Sequence, residues 1–277
     1  MSRLWIKNPL AILAEDAGGG IVIDGSEISE LVPAGKTPSV PCTEFDASSH
    51  VILPGLVNTH HHFYQTLTRA LRPALGKELF DWLKALYPVW SGLDPEGLAV
   101  ATELALTELL LSGCTTTSDH HYLYPKGLED AVDIQVEVAA KTGMRVTLTR
   151  GSMDLSQKDG GLPPDSVVQK TDEILTDSER VVNRFHQCGP GAMVQIALAP
   201  CSPFSVTQDL MRQTAELASK LGVRLHTHLG ETQDENDFCL ATLGMRPLDY
   251  LEDCGWLGSN TWLAHGIHFN NEEIGRL

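Results

Sequence analysis

The sequence has little positive charge and no cysteine pattern typical of secreted domains. Lysine and arginine total 20 against 36 aspartate and glutamate residues, and the formal net charge is −16. Such a chain has no basic patch that could release counterions from a phosphate backbone, so we expect no nucleic-acid partner. Six cysteines are present without a C-x-x-C pair. In a chain of 277 residues they favour a reducing cytoplasm over secretion.

Long hydrophobic runs are also absent near the start of the chain. The first apolar stretch contains Arg3, and the next one, 10–14, is interrupted by Glu15 and Asp16. Both are too short for a signal peptide or a membrane span, so we expect no membrane partner. A length of 277 residues is ample for a sizeable core in one large domain or two modest ones.

Histidines are the most informative residues that the sequence does contain. Nine of the eleven fall into four groups, which are 60–62, 120–121, 226 with 228, and 265 with 268. Each group ends or follows a short apolar or β-branched run. Side chains at alternate positions of a strand point the same way, so His60 and His62 can bind one cation together. Neutral imidazole suits zinc or iron, and the grouping therefore predicts a metal site.

Short strands and helical stretches alternate along most of the chain. The strands are expected at roughly 51–58, 115–119, 145–150, 193–199, 223–228 and 261–265. Helices are expected from Asp94 and Pro95 to Gly113, over 128–142, and over 209–221, the last two ending at glycines. This alternation predicts βα units around a parallel sheet, and a barrel of that kind collects its chemistry at the carboxyl ends of its strands.

The fold class that follows is α/β. We predict a (β/α)8 TIM-like barrel over residues 54–277, of which about six βα units are present, preceded by a small N-terminal β-sandwich domain over 1–53. The glycines at 18–20 and the short runs after them indicate strands joined by tight turns. An N-terminal extension of the barrel sheet is the alternative for this first part.

Three motifs in order carry a resemblance to a known family. They are Pro54–His62 (PGLVNTHHH), His226–Thr232 (HTHLGET) and Trp262–Gly266 (WLAHG). The chain resembles the amidohydrolase superfamily, in particular its branch of cytosine, guanine and S-adenosylhomocysteine deaminases and triazine hydrolases. The resemblance implies one divalent metal, with zinc expected and iron or manganese as alternatives, held by His60, His62 and His228. It also implies catalytic roles for Glu231, as the proton donor to a ring nitrogen, and for His265, which would orient the attacking water.

A finer resemblance concerns the substrate. The stretches 60–70, 80–83 and 199–203 are similar to those of 8-oxoguanine deaminases. This implies a hydrolytic deaminase of an aminopurine that converts 8-oxoguanine to urate and ammonia. An s-triazine aminohydrolase of the hydroxyatrazine type shares much of the first stretch and is the alternative, and opening of a cyclic amide is a third.

Several residues are candidates for contact with a small purine or triazine substrate. They are Gln65, Cys201 and His120, with Trp82 and Trp90 as stacking faces. Each also has a purely structural interpretation: a polar residue at a helix start for Gln65, a buried thiol for Cys201, support behind the metal for His120, and core packing for the tryptophans.

One departure from the family pattern bears on the whole molecule. The family uses an aspartate at the end of an eighth strand as metal ligand and general base, and no residue of 1–277 matches it. We therefore expect these residues to be the front portion of a longer protein that is a homo-oligomer when full length. A catalytically incomplete fragment that binds metal or a partner is the alternative from a different functional class.

Overall fold

The computed structural model describes residues 3–277, which divide into two compact units. The first extends to Leu56 and includes Gly189–Gly191. The second consists of Val57–Cys188 and Ala192–Leu277.

The first unit is built from short strands. These are β1 (Leu4–Lys7), β2 (Ala11–Ile12), β3 (Gly20–Asp24), β4 (Glu27–Val32), β5 (Thr43–Asp46) and β6 (Val51–Ile52). Four of them form a mixed sheet in the order β4-β3-β1-β5, and β2 pairs with β6 in parallel. A small core of Trp5, Val22 and Val32 lies on the sheet. One four-stranded sheet and one strand pair do not make the predicted β-sandwich, which is not confirmed.

The second unit contains a sheet of six strands. They are β7 (Leu56–Asn58), β8 (Cys114–Asp119), β9 (Arg145–Ser152), β10 (Val194–Pro200), β11 (Leu225–Leu229) and β12 (Thr261–His265). The sheet runs in chain order from β7 to β12, and the pairs from β8 to β12 are parallel. Strands that each neighbour their predecessor are the arrangement of a (β/α) barrel, so this unit is a partial TIM barrel.

The predicted strand over 51–58 is divided in the structure. Its first residues form β6, which belongs to the small strand pair, and its last residues form β7 in the large sheet. Pro54 lies between them, and proline has no backbone N–H to donate to a ladder. The break therefore falls where the sequence cannot sustain continuous pairing.

Helices follow the strands of the second unit. They are α1 (Leu79–Trp90), α2 (Pro95–Leu111), α3 (Ala131–Thr142), α4 (Thr171–Phe185), α5 (Gln208–Leu221), α6 (Gln233–Leu243), α7 (Pro247–Asp253) and α8 (Asn271–Ile274). The expected start of α2 is confirmed, because the Asp94 carboxylate accepts a 2.7 Å hydrogen bond from the Gly97 N–H. Gly143 and Gly222 end α3 and α5 in the left-handed conformation, as their positions predicted.

Apolar residues of the helices and the sheet form the main core of the second unit. Leu98 and Leu106 of α2, Leu148 of β9 and Ile196 of β10 are almost fully buried within it. Over residues 3–277, no helix is long and apolar enough to cross a bilayer.

Candidate metal centre

Three predicted metal ligands meet at the carboxyl end of the sheet. Each of His60, His62 and His228 offers a ring nitrogen, and these atoms lie within 4.8 Å of one another. The Nε2 atoms of His62 and His228 are 3.1 Å apart. The alternation of His60 and His62 predicted that both lie in a strand. In the structure β7 ends at Asn58, and both histidines follow it outside the strand. The Asn58 side chain accepts a hydrogen bond from the His60 N–H at 3.0 Å and holds this irregular segment.

Backbone carbonyls orient two of the three rings. The Nδ1 of His62 lies 2.7 Å from the carbonyl oxygen of His120, and the Nδ1 of His228 lies 2.7 Å from that of Cys201. A carbonyl oxygen only accepts, so in both rings Nδ1 carries the proton. The lone pair of Nε2 is then free, which is the form that binds a metal.

The third ring, His60, has a side chain as its partner. Its Nδ1 lies 2.9 Å from Nε2 of His226, whose own Nδ1 lies 2.8 Å from the carbonyl oxygen of Trp262. His226 shares its strand face with His228, since the two are alternate residues of β11.

Burial keeps these imidazoles neutral. Loss of hydration lowers the pKa of His60 to about 2, that of His62 to about 3 and that of His226 to about 4, and it lowers the pKa of His228 well below its usual value. Neutral imidazole is the form that coordinates a divalent cation. The donor set therefore fits a metal of the zinc or iron type, and His60, His62 and His228 would hold it.

Asp119 at the end of β8 fixes the segment that carries the first two ligands. Its buried carboxylate accepts hydrogen bonds from the N–H of Phe63 and from the amide of Gln135, both at 2.6 Å. Phe63 directly follows His62, so this contact sets the path of the chain at the ligand. Burial raises the pKa of Asp119 to about 7 despite these donors.

Glu231 lies beside the three imidazoles on the turn after β11. Burial, assisted by the charge of Glu235, raises the pKa of the Glu231 carboxyl to about 7. Its Oε1 is 3.4 Å from Nε2 of His265, the last residue of β12. The His265 ring stacks on that of His228 with centroids 5.4 Å apart. His265 has a φ of 77°, which is uncommon for a residue other than glycine and marks a constrained position.

A cavity of about 230 Å³ opens in front of these groups. Its lining combines the predicted ligands and catalytic residues with apolar walls, and comprises His60, His62, Gln65, Leu79, Trp82, Leu83, Tyr122, Cys201, Phe204, His228, Glu231 and His265. Gln65 and Cys201 thus lie where substrate contacts were predicted. Burial raises the pKa of the Cys201 thiol to about 12, so it stays protonated.

Two other candidates lie elsewhere. His120 is fully buried and stacks on His228 with centroids 4.5 Å apart, and it is not among the lining residues of the cavity. His120 therefore packs behind the predicted ligand His228, and its position does not favour the predicted substrate contact. Trp90 is buried against Tyr64 and donates to Thr68 at 3.1 Å, so it belongs to the core, whereas Trp82 lines the cavity.

Glu235 belongs to the site and was not among the predicted residues. Its buried carboxylate accepts hydrogen bonds from the N–H groups of Gly230 at 3.0 Å and Glu231 at 2.8 Å. The signal was present, because Thr232 and Glu235 have the spacing of a capping box, and Thr232 Oγ1 does accept from the Glu235 N–H. Tyr122 and Phe204, which also line the cavity, carried no comparable signal.

Comparison with known proteins places this geometry in a family. The profile of the amidohydrolase family matches residues 51–277, and the chain belongs to that family. It is 63% identical over 281 aligned positions to 8-oxoguanine deaminase of Pseudomonas aeruginosa, covering 100% of this chain and 63% of that protein. It is 37% identical to hydroxydechloroatrazine ethylaminohydrolase of Pseudomonas sp. strain ADP, covering 98% of this chain and 56% of that protein.

A solved structure agrees with these relatives. Atrazine chlorohydrolase from Arthrobacter aurescens TC1, crystallised in complex with zinc, superimposes with a TM-score of 0.89 at 28% identity. The match covers 100% of this chain and 63% of that one. The chain thus spans less than two thirds of the length of each of these three proteins.

Proposed function

We propose that the protein is a metal-dependent hydrolytic deaminase that converts 8-oxoguanine to urate and ammonia with one bound zinc ion. The observation that carries this proposal is the meeting of three neutral imidazoles beside a buried carboxylic acid in one cavity. The identity of 63% to an 8-oxoguanine deaminase supports this substrate over an s-triazine, for which the identity is 37%.

The size of the cavity agrees with a single small heterocycle. Sites for drug-sized ligands enclose roughly 300–1,000 Å³, whereas this cavity has about 230 Å³.

The reaction adds water to the ring carbon that bears the amino group and releases that group as ammonia. A divalent metal, when bound, lowers the pKa of water from about 15.7 toward about 7 and so supplies the nucleophile at neutral pH. Burial raises the pKa of Glu231 to about 7, so a substantial fraction of this carboxyl is protonated at neutral pH and can deliver its proton to the adjacent ring nitrogen. His265, 3.4 Å from Glu231, orients the incoming water by hydrogen bonding.

Recognition of the substrate is assigned to the remaining polar residues of the cavity. The amide of Gln65 offers one donor face and one acceptor, which suits the edge of an oxidised purine. The protonated thiol of Cys201 provides a weak donor, and Trp82 provides a flat apolar face.

The test is ammonia release by the whole, zinc-loaded protein from 8-oxoguanine, guanine and an aminated hydroxytriazine. We expect fast release from 8-oxoguanine and slow or no release from the other two. Preference for the hydroxytriazine would transfer the proposal to an s-triazine aminohydrolase. If the protein binds zinc but releases no ammonia from any of the three, the deaminase proposal is wrong.

The cellular setting is part of the same proposal. All six cysteines are unpaired, which agrees with the reducing cytoplasm that their spacing predicts. We place the protein there as a homo-oligomer, and sedimentation of the purified whole protein tests the assembly.

A further inference from the structure

The three metal-ligand histidines differ in what holds their protons. His62 and His228 donate from Nδ1 to carbonyl oxygens of the backbone, whose presence no substitution can remove. The Nδ1 of His60 instead lies against the side chain of His226. We propose that His226 is the positioning residue that holds His60 in the Nδ1-protonated form and thereby presents its Nε2 lone pair to the metal. This inference rests on the metal site of the proposed function.

The donor and acceptor in each of these hydrogen bonds follow from the Trp262 carbonyl oxygen, which contacts the far side of the His226 ring. The Trp262 carbonyl oxygen can only accept, so Nδ1 of His226 is the donor across the 2.8 Å contact. A neutral imidazole carries a single N–H, which leaves Nε2 of His226 as an acceptor. The partner atom at 2.9 Å, Nδ1 of His60, must then be the donor. The proton of His60 is thus assigned to Nδ1, and its Nε2 is left unprotonated.

Packing and hydrogen bonding together fix the orientation of His226. The residue is fully buried, and its ring lies flat against the indole of Trp262, with centroids 4.3 Å apart and an interplanar angle of 14°. Rotation of the ring by half a turn would separate Nδ1 from the Trp262 carbonyl oxygen and remove the acceptor that faces His60. The stack therefore fixes the plane of the ring, and the hydrogen bond to the Trp262 carbonyl fixes which ring nitrogen faces His60.

The distances alone would also allow a second metal ion beside His60. Ring nitrogens of His60, His120 and His226 also lie within 4.8 Å of one another, as in a metal site. In the structure, however, Nδ1 of His60 and Nε2 of His226 are engaged with each other, and Nε2 of His120 lies 3.0 Å from the carbonyl oxygen of Ala199. The geometry favours a hydrogen bond between the first two rings over a second ion.

A pair of substitutions separates the two contacts of His226. In His226→Gln the terminal amide extends as far as Nε2 of histidine and keeps an acceptor for His60. In His226→Asn the shorter amide still approaches the Trp262 carbonyl but does not extend to His60. His121→Asn is the control, because it removes a buried imidazole from the same region whose ring nitrogens have no hydrogen-bond partner in the structure.

Zinc affinity is measured by competition with a chelator on the whole protein at fixed pH. We expect His226→Asn to weaken zinc binding about 10- to 100-fold, the usual effect of removing a hydrogen-bond partner of a metal ligand. His226→Gln and His121→Asn should retain affinity within a few-fold of the unchanged protein. The thermal midpoint of each metal-free variant reports any general loss of folding.

A second measurement needs no variant. Nitrogen-15 chemical shifts of the histidine rings in metal-free protein report the tautomer of His60, which we expect to be protonated at Nδ1. Protonation at Nε2, unchanged zinc affinity in a folded His226→Asn variant, or two zinc ions per chain would each overturn the inference. A protein that binds no zinc but shows His60 protonated at Nδ1 would instead contradict the proposed function.

Discussion

At the scale of single residues, the centre depends on which groups carry protons. The three ligand rings are neutral because they are buried. The same effect raises the pKa of the Glu231 carboxyl to about 7. Desolvation therefore prepares both the metal donors and the acid with one physical effect. The two proposed functions should be separable by substitution, since Glu231 is not among the grouped metal donors.

The substitution Glu231→Gln removes the acid while keeping the size of the side chain. We expect turnover to fall by about 10²–10⁴-fold, the usual contribution of a positioned general acid. Zinc content, measured by atomic absorption, should remain that of the unchanged protein. Near-normal turnover in this variant would exclude Glu231 from proton transfer, and loss of zinc would make it a ligand.

At the scale of elements, the turn between β11 and α6 positions Glu231. The carboxylate of Glu235, in the first turn of α6, accepts hydrogen bonds from the N–H groups of Gly230 and Glu231. Gly230 has a φ of 65°, and a Cβ at this position would lie 2.7 Å from the Phe269 ring. The turn thus needs glycine for two reasons, its backbone conformation and the nearby ring.

The charge of Glu235 also affects the pH dependence of the reaction. Burial and, after it, this charge raise the pKa of Glu231 to about 7, so under the proposed mechanism Glu231 loses its proton, and activity falls, as pH rises through about 7. In Glu235→Gln that charge is gone, and the alkaline limb of kcat should move to lower pH. Glu235→Asp keeps the charge and is the control. A limb at the same pH in both variants would show that another group governs it.

Substitution of Gly230 by alanine tests the turn directly. Left-handed backbone costs a non-glycine residue about 1–2 kcal/mol, and overlap with Phe269 adds to that cost. We expect Gly230→Ala to lower the free energy of unfolding in urea. Adding Phe269→Leu should recover only the part caused by overlap, and no recovery would assign the whole effect to the backbone.

At the scale of the whole barrel unit, the metal site joins distant parts of the sheet. His60 and His62 follow β7, at one edge, whereas His228 belongs to β11, next to the other edge. The Trp262 indole of β12 also donates to the Thr59 carbonyl oxygen at 3.0 Å. These contacts require the sheet to curve until its two edges approach each other, as in a barrel.

A metal that bridges these parts should stabilise the folded protein. Binding contributes about 2.7 kcal/mol when free zinc is at 100 times its Kd, and each kcal/mol shifts the thermal midpoint of a protein this size by about 2–4 °C. We expect a chelator to lower the midpoint and added zinc to restore it. Magnesium prefers oxygen ligands and should not restore it. A midpoint indifferent to zinc would contradict the site.

The chain itself determined the class of fold and the location of its chemistry. Strand and helix periodicities, Pro95 at a helix start and the glycines at 143 and 222 are local signals, because each acts on residues within one or two turns. The motifs at 54–62 and 226–232, through the family resemblance they carry, led us to predict His60, His62 and His228 as ligands. The same local signals could not reveal which ring nitrogen binds or what each proton contacts.

Those features were decided by tertiary structure, because they depend on atoms far apart in the sequence. The partner of His60 lies 166 residues away on β11, and the carboxylate that holds the chain after His62 lies 56 residues away on β8. Burial of His120 behind the ligands, and the raised pKa of Glu231, likewise follow from how the sheet curves and excludes water. The sequence alone indicated which kinds of side chain form the site. The protonation and the orientation of those side chains depend on the folded barrel unit.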